Sequence, residues 1–155
     1  MNAYFAGGCF WCITPTFKNT EGVINVTCGY CGGDEVNPTY EDVKKQRTHH
    51  RETIKIEYDE NIASYENLLN IFINNVDISD AGGQFIDRGH SYTLAVYYEN
   101  DEQKQIIDKV LLNKNACISI EPLKEFYTAE EYHQDYYLKN PKEFEEELIK
   151  SGRKK

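Results

Sequence analysis

The pattern of apolar and polar residues predicts alternating strands and helices along most of the chain. Four short segments are predicted strands, because their apolar residues are continuous or alternate with polar ones. Three longer segments are predicted helices, because apolar residues recur every three or four positions or the segment opens on a capping residue. The predicted strands are Ala3–Ala6, Val23–Cys28, Glu52–Asp59 and Ser91–Tyr98. The predicted helices are Phe10–Lys18, Ser64–Asn75 and Asp101–Asn115.

The order of these elements predicts the fold class. Strand, helix, strand, strand, helix, strand is the split βαβ pattern of ferredoxin-like sandwiches, so we expect an α+β fold. A doubly wound parallel fold would need a helix between Val26 and Ile54. That stretch instead has glycines, and Gly29, Gly32 and Gly33 predict a loop after the second strand.

Additional helices are expected after this core. The charged end of the chain, Lys142–Lys155, is typical of a helix followed by a basic tail. No linker, internal repeat or low-complexity block divides the sequence. We therefore expect a single catalytic domain spanning residues 1–155.

The charge balance disfavours a nucleic-acid partner. The 17 basic and 26 acidic residues give a net charge of −9, which repels a phosphate backbone. No run approaches the ~20 apolar residues that span a bilayer, and no basic leader begins the chain. The expected location is the cytoplasm, without membrane association. Five cysteines, an odd number, favour thiols that stay reduced over a disulfide framework.

The cysteine spacing allows two interpretations. Cys9 and Cys12, then Cys28 and Cys31, form two Cys-x-x-Cys pairs separated by fifteen residues, as in zinc-ribbon binding modules. A chain of this length can nevertheless build a core without a metal. Cys9 also follows a strand and opens a helix, where the helix dipole should stabilise a reactive thiolate. Thiol chemistry at Cys9 is therefore favoured, with zinc binding as the alternative.

Six ordered segments then identify a family. They are GGCFWC (Gly7–Cys12), GYCGG (Gly29–Gly33), NPTYEDV (Asn37–Val43), THHRETIKIEYD (Thr48–Asp59), GGQFIDRGHSY (Gly82–Tyr92) and EEYHQDYYLKNP (Glu130–Pro141). In order and spacing, they resemble the signature segments of peptide methionine sulfoxide reductase, type A. The resemblance implies an α/β sandwich around a ferredoxin-like core. It also implies an enzyme that reduces methionine S-sulfoxide, free or in proteins, without a cofactor or metal.

The resemblance also implies the site residues. The family's nucleophile matches Cys9, its general acid matches Glu52, and its substrate-orienting hydroxyls match Tyr40 and Tyr92. The aspartate of its FIDRG segment matches Asp87. Its aromatic wall for the substrate S-methyl group matches two residues that follow the nucleophile, Phe10 and Trp11.

Elementary chemistry agrees with these roles. A sulfoxide oxygen that gains charge must be protonated, so Glu52 needs a pKa raised toward neutrality by burial. Two tyrosine hydroxyls can donate to the same oxygen without burying a charge. Cys9 would then become a sulfenic acid, the reversible first product of thiol oxidation. His49, His50 and His133 are left out of the catalytic set, because a lone histidine is more often structural.

The sequence departs from the family at the thiol that would recycle Cys9. Many members carry recycling cysteines in a C-terminal tail, whereas no cysteine follows Cys117 here. Cys12 is the first candidate, because residues three apart at a helix start are about 5–6 Å apart, within disulfide range. Cys28 and Cys31 are further candidates, and an external thiol could instead act directly. Cys117 is expected to be a buried strand residue.

Thioredoxin is the expected reductant, and the expected state of the protein is a monomer. A second departure places Arg51 next to Glu52, where the family has an uncharged residue. A positive charge in the pocket would hold Glu52 ionised. Strand alternation places the two side chains on opposite faces, so we expect no such effect.

Overall fold

The structure is a computed structural model that describes residues 1–151, and the predicted basic tail at 152–155 lies outside the described residues. The strands are β1 (Asn2–Gly7), β2 (Val23–Cys31), β3 (Arg51–Tyr58), β4 (Gly83–Gln84), β5 (Asp87–Arg88), β6 (Leu94–Tyr98), β7 (Ile118–Pro122) and β8 (Tyr127–Thr128). The α-helices are α1 (Phe10–Lys18), α2 (Tyr40–Lys44), α3 (Tyr65–Asn74), α4 (Asp101–Leu111), α5 (Tyr136–Lys139) and α6 (Pro141–Ser151). Two 3-10 turns lie at His90–Tyr92 and Glu131–His133.

The main sheet has six strands in the order β7-β6-β1-β3-β2-β8. Its four central strands are antiparallel neighbours, and α1 and α3 connect them in the split βαβ manner. β7 extends one edge in parallel with β6, and β8 extends the other edge antiparallel to β2. The predicted α+β class with a ferredoxin-like core and additional C-terminal helices is confirmed.

The helices cover one face of the sheet. Ile54, Ile56 and Tyr58 alternate onto this face, as predicted, and contribute to the main core with Phe17 from α1 and Leu68 from α3. Burying a side chain of this size contributes about 1.5–3 kcal/mol of hydrophobic stabilisation. This packing fixes α1 on the sheet and therefore fixes the position of Cys9.

A smaller apolar cluster lies on the opposite face. It contains Tyr4, Ala6, Cys31 and Tyr97, with Phe126 packed against it. Phe126 belongs to the segment between β7 and β8, so this part of the chain crosses the face that the helices leave uncovered.

The second strand is longer than predicted. β2 pairs with β3 as far as Cys31 and Arg51, so the predicted loop starts at Gly32 and not at Gly29. Gly29 has a packing role instead. A Cβ at this position would lie 2.5 Å from the carbonyl oxygen of Tyr127, because β8 crosses there. Gly32, with φ of +97°, adopts the left-handed conformation that ends the strand.

Three other local predictions need correction. The strand predicted at Ser91–Tyr98 begins only at Leu94, because the 3-10 turn at His90–Tyr92 precedes it. The helix predicted at Asp101–Asn115 ends at Leu111. Cys117 is not a buried strand residue: it is exposed just before β7, where its N–H donates to the carbonyl of Ile78. Residues 1–151 contain no helix long and apolar enough to cross a membrane.

Candidate active site

The first turn of α1 places Cys9 at the edge of the core. Cys9 is the N-cap residue, with extended backbone angles, and Gly8 before it has φ of +87°. Gly7 lies close to α3, and a Cβ at this position would be 2.8 Å from the Phe72 ring, which explains why residue 7 is a glycine. The Cys9 side chain is 7% exposed.

Glu52 of β3 binds this helix start. Its Oε1 accepts a hydrogen bond of 3.1 Å from the backbone N–H of Phe10. The carboxyl is 1% exposed, and its Oε2 has no hydrogen-bond partner among residues 1–151. Burial raises the pKa of Glu52 to about 8, against the opposing effect of the Phe10 N–H. The carboxyl therefore rests protonated at neutral pH, which general acid catalysis requires.

The predicted thiolate character of Cys9 is wrong for this resting state. The pKa of the Cys9 thiol lies well above its usual range, chiefly because of a hydrogen bond with the Cys12 side chain, and burial and the Asp87 charge add to it. The helix start does not offset these effects, because the Phe10 N–H serves Glu52 and the Cys12 N–H bonds the Cys9 carbonyl. Cys9 therefore rests as a thiol.

Two tyrosines from separate elements lie near this pair. Tyr40 is the first residue of α2, and Tyr92 ends the 3-10 turn before β6. Burial is the main cause that raises the pKa of both hydroxyls. Both phenols are therefore neutral hydrogen-bond donors. Asp87 is half-buried in β5, and its charge raises the pKa of Glu52 and Cys9 in turn.

Aromatic rings cluster at the first turn of α1, next to Cys9 in the chain. Phe10 is fully buried beneath them, whereas Trp11 is half-buried and stacks on Tyr136 with ring centroids 4.0 Å apart. The Trp11 indole N–H donates to Nδ1 of His133 at 3.1 Å. His133 must therefore be neutral in this arrangement, and burial lowers its pKa accordingly. Of the two predicted wall residues, Trp11 is the one that solvent reaches.

The remaining candidate thiols differ in their access to Cys9. Cys12 is half-buried, and its side chain hydrogen-bonds the Cys9 thiol. Cys28 lies beneath α1, with its Sγ 3.3 Å from Thr14 Oγ1, and burial raises its pKa to about 12. Cys31 lies on the opposite face of the sheet, in the smaller cluster.

This placement contradicts the zinc alternative. Cys28 and Cys31 are three positions apart along β2, a rise of about 10 Å, and their side chains lie in different clusters. Within residues 1–151 there is no group of three or more His, Cys, Asp or Glu residues that could hold a metal ion. The same distance is too long for a disulfide between Cys28 and Cys31.

Arg51 points away from the site, which confirms the prediction from strand alternation. On the face opposite Glu52, its guanidinium forms an ion pair of 2.8 Å with Glu121 and donates to the hydroxyls of Thr93 and Tyr97. Its charge is therefore neutralised outside the site.

Two residues with contacts at the site were not predicted from the sequence, and both lie in the C-terminal strap, our name for residues 127–136. Glu130 accepts hydrogen bonds from the Tyr30 hydroxyl at 2.7 Å and from the Tyr40 N–H at 3.0 Å. Gln134 accepts from the N–H of Cys28 and donates to its carbonyl, both at 2.9 Å. Both residues belong to the segment EEYHQDYYLKNP, so the signal was present, but nothing in the sequence specified their partners.

Two histidines have structural contacts. Buried His50 accepts a hydrogen bond from the Gly33 N–H at Nδ1, and its Nε2 lies 2.8 Å from the Glu35 carbonyl. His49 is hydrogen-bonded to the Glu35 carboxylate. These contacts hold the loop after β2 against the start of β3, which agrees with leaving both histidines out of the catalytic set.

The site combines a cysteine at a helix start with a buried, protonated carboxyl and two phenol hydroxyls, on an α+β fold. This combination is typical of a thiol-dependent oxidoreductase. The family model for peptide methionine sulfoxide reductase matches residues 1–155. The chain belongs to this family and reduces methionine sulfoxide to methionine.

Curated relatives and solved structures agree with the assignment. The chain is 44% identical to peptide methionine sulfoxide reductase MsrA of Bacillus velezensis, over 97% of this chain and 90% of the relative. It is 41% identical to MsrA 2 of Staphylococcus aureus, over 98% and 90%. The structure of methionine sulfoxide reductase A of Corynebacterium diphtheriae superposes with a TM-score of 0.81 and 28% identity, over 90% of this chain and 74% of that one. Reduced Mxr1 of Saccharomyces cerevisiae gives a TM-score of 0.83 and 26% identity, over 92% and 86%.

Proposed function

We propose that Cys9 is the nucleophile and Glu52 the proton donor in the reduction of methionine S-sulfoxide. The Tyr40 and Tyr92 hydroxyls orient the sulfoxide oxygen, Asp87 contributes to the electrostatics of the site, and Phe10 and Trp11 support the S-methyl group. The observation that carries this proposal is the buried Glu52 carboxyl, bonded to the residue after Cys9 and with a pKa raised to about 8.

The chemical step starts with the Cys9 thiol and the Glu52 carboxyl both protonated. As the Cys9 sulfur attacks the sulfoxide sulfur, the oxygen takes the proton of Glu52, and the thiol proton replaces it on the carboxylate. Transfer of the hydroxyl to Cys9 then breaks the S–O bond of the substrate. Methionine is released, its sulfur reduced by two electrons, and Cys9 is oxidised by two electrons to the sulfenic acid.

Cys12 supports an internal recycling step. Its thiol attacks the sulfenic acid, an S–S bond forms, and the hydroxyl leaves as water with the thiol proton. A dithiol of the thioredoxin type then reduces the disulfide. Its position beside Cys9 favours Cys12 over Cys28 and Cys31. Mxr1 of Saccharomyces cerevisiae has been solved in complex with Trx2, which is in line with a protein dithiol as the reductant.

The sequence also supports proposals on the domain organisation, location, assembly and partners of the protein. We propose that residues 1–155 act as one catalytic domain, as a cytoplasmic monomer, without a cofactor and without nucleic-acid or membrane partners. The substrate is the S epimer of methionine sulfoxide, free or in proteins.

The test is methionine released by the pre-reduced protein, with excess S-sulfoxide and no added reductant. One equivalent is expected, and none from the Cys9→Ala variant. The R-sulfoxide serves as the matched control and should give none. Release by Cys9→Ala would refute the role of Cys9, and release from both epimers would refute the proposed selectivity.

A further inference from the structure

We propose that Glu130 is a positioning residue for catalysis, which holds Tyr40 in register with Glu52. The inference rests on the proposed roles of Tyr40 and Glu52. Glu130 acts through Tyr40 and has no proposed contact with the substrate.

The Glu130 carboxylate connects two elements with its two oxygens. Oε1 accepts from the hydroxyl of Tyr30, which is a fully buried residue of β2. Oε2 accepts from the backbone N–H of Tyr40 at the start of α2. Hydrogen bonds to an ionised acceptor are about twice as strong as neutral ones, so the carboxylate is a firm link between the two.

Tyr30 is the cross-strand neighbour of Glu52, the proposed acid. In the pairing of β2 with β3, Tyr30 lies opposite Glu52. The path from Glu52 to Tyr40 is therefore short: a strand pair to Tyr30, a 2.7 Å hydrogen bond to Glu130, and a 3.0 Å hydrogen bond to the Tyr40 backbone. Glu130 thus fixes the first residue of α2 relative to the strand that carries the acid.

The segment before Tyr40 is held near its start by the contacts of Glu35 with His49 and His50, but the residues next to Tyr40 are mostly exposed. Between the end of β2 and α2, Asp34, Val36, Asn37 and Thr39 are exposed. Gly32 and Asn37 have positive φ values, of +97° and +50°. The ring of Tyr40 does pack on His133, with centroids 4.1 Å apart, but His133 belongs to the same strap as Glu130. The Tyr40 ring also stacks on Phe10 and Trp11, with centroids 6.2 Å and 5.9 Å apart. The strap supplies the side-chain hydrogen bond to the Tyr40 backbone and one of the ring contacts.

The consequence for catalysis is geometric. A hydroxyl that donates to the developing oxyanion must lie within hydrogen-bond range of it, and a misplacement of about 1 Å can cost on the order of 100-fold in rate. Without the Glu130 link, α2 can shift and the Tyr40 hydroxyl loses its place. The rate of the first turnover should fall while Cys9 and Glu52 stay intact.

The experiment is a double-mutant cycle on the single-turnover rate constant, with Glu130→Ala, Tyr40→Phe and the double variant. We expect Glu130→Ala to lower the rate constant roughly 10-fold to 100-fold, with little change in the substrate concentration at half-saturation. In the Tyr40→Phe background, the same substitution should change the rate less than about twofold, because the hydroxyl it positions is absent. Independent effects of the two substitutions would overturn the proposal.

Two further variants separate positioning from simple loss of stability. Glu130→Gln keeps an acceptor for the Tyr40 N–H and can donate its amide to the Tyr30 oxygen, so it should restore most of the rate. Glu131→Ala is the matched control, because this neighbouring glutamate is exposed and its ion pair is with Lys139. A rate loss in Glu131→Ala as large as that in Glu130→Ala would contradict the proposal.

If Tyr40→Phe itself has the wild-type rate, the role of Tyr40 fails, and the proposal for Glu130 fails with it. If Tyr40→Phe is slow and Glu130→Ala is not, only the inference about Glu130 is wrong.

Discussion

Glu52 accepts a hydrogen bond of 3.1 Å from the backbone N–H of Phe10, the residue that follows Cys9. The contact joins the middle of the sheet to the first turn of α1, so the proposed acid and the proposed nucleophile belong to one rigid unit. It also occupies one of the helix N–H groups that could otherwise have stabilised a thiolate. Burial keeps the Glu52 carboxyl protonated in spite of this contact, and the Cys9 thiol also rests protonated. The expected behaviour of the enzyme follows from that state.

The first prediction concerns the pH dependence of the first turnover. Because the step starts with a protonated Glu52, whose pKa is raised to about 8, the single-turnover rate constant should be flat below pH 8 and fall above it. Glu52→Gln should lower the rate constant at pH 7 by roughly 100-fold to 10,000-fold and abolish the decline. Rapid-quench measurement of methionine between pH 6 and 10 tests both.

The control for this prediction is Glu57→Gln, a half-buried glutamate of the same strand on the other face. It should keep the wild-type rate and the wild-type pH profile. A rate constant that rises through pH 8 would show that formation of the Cys9 thiolate limits the reaction, and would refute the protonated starting state.

The second prediction concerns stability. The folded-state pKa of Glu52 is raised above its unfolded value, from 4.5 to about 8. The contribution of Glu52 to the free energy of unfolding is therefore fully present below about pH 4.5 and is lost as the pH rises through 8. The loss is on the order of a few kcal/mol. Glutamine stays neutral, so Glu52→Gln should be about as stable as wild type at pH 5 and more stable at pH 9. Urea unfolding at the two pH values measures the difference in stability between Glu52→Gln and wild type. A stability gain in Glu52→Gln that does not grow with pH would contradict the prediction.

The roles of Cys9, Glu52, Tyr40 and Tyr92 stay predictions, but the sequence was sufficient to predict the core, because strand alternation and helix periodicity are local signals, and its ordered motifs identified the family. It was not sufficient for contacts between distant segments. Gly29 looked like the start of a loop, since the strap that crosses it lies about 100 residues later. The raised pKa of Cys9 was missed for a different reason: its main cause is a hydrogen bond with the nearby Cys12 side chain, whose orientation the sequence spacing does not specify, and burial adds to it.

Gly29→Ala provides the third prediction, which tests the crossing itself. The added Cβ would lie 2.5 Å from the Tyr127 carbonyl and would also meet the Phe126 ring, so β8 must shift away from β2. We expect a loss of roughly 2–4 kcal/mol in the free energy of unfolding. Gly82→Ala is the matched control: its Cβ meets only the far end of the Arg88 side chain and the Asp80 side chain, and it should change stability little. Equal losses in the two variants, measured by urea unfolding, would show that the close approach of Tyr127 is not the cause.

The last prediction concerns the number of thiols that supply electrons. Cys12 contacts Cys9, whereas Cys31 lies across the sheet and Cys28 lies under α1, so only one thiol pair can react. Without reductant, the wild-type protein should release one equivalent of methionine and lose two of its five thiols. Cys12→Ser should also release one equivalent but lose a single thiol, and its turnover with thioredoxin should slow. Cys117→Ser, at an exposed position, is the control and should match wild type. Two equivalents from the wild-type protein would mean that electrons reach Cys9 from Cys28 or Cys31, which the rigid pairing of β2 with β3 does not allow.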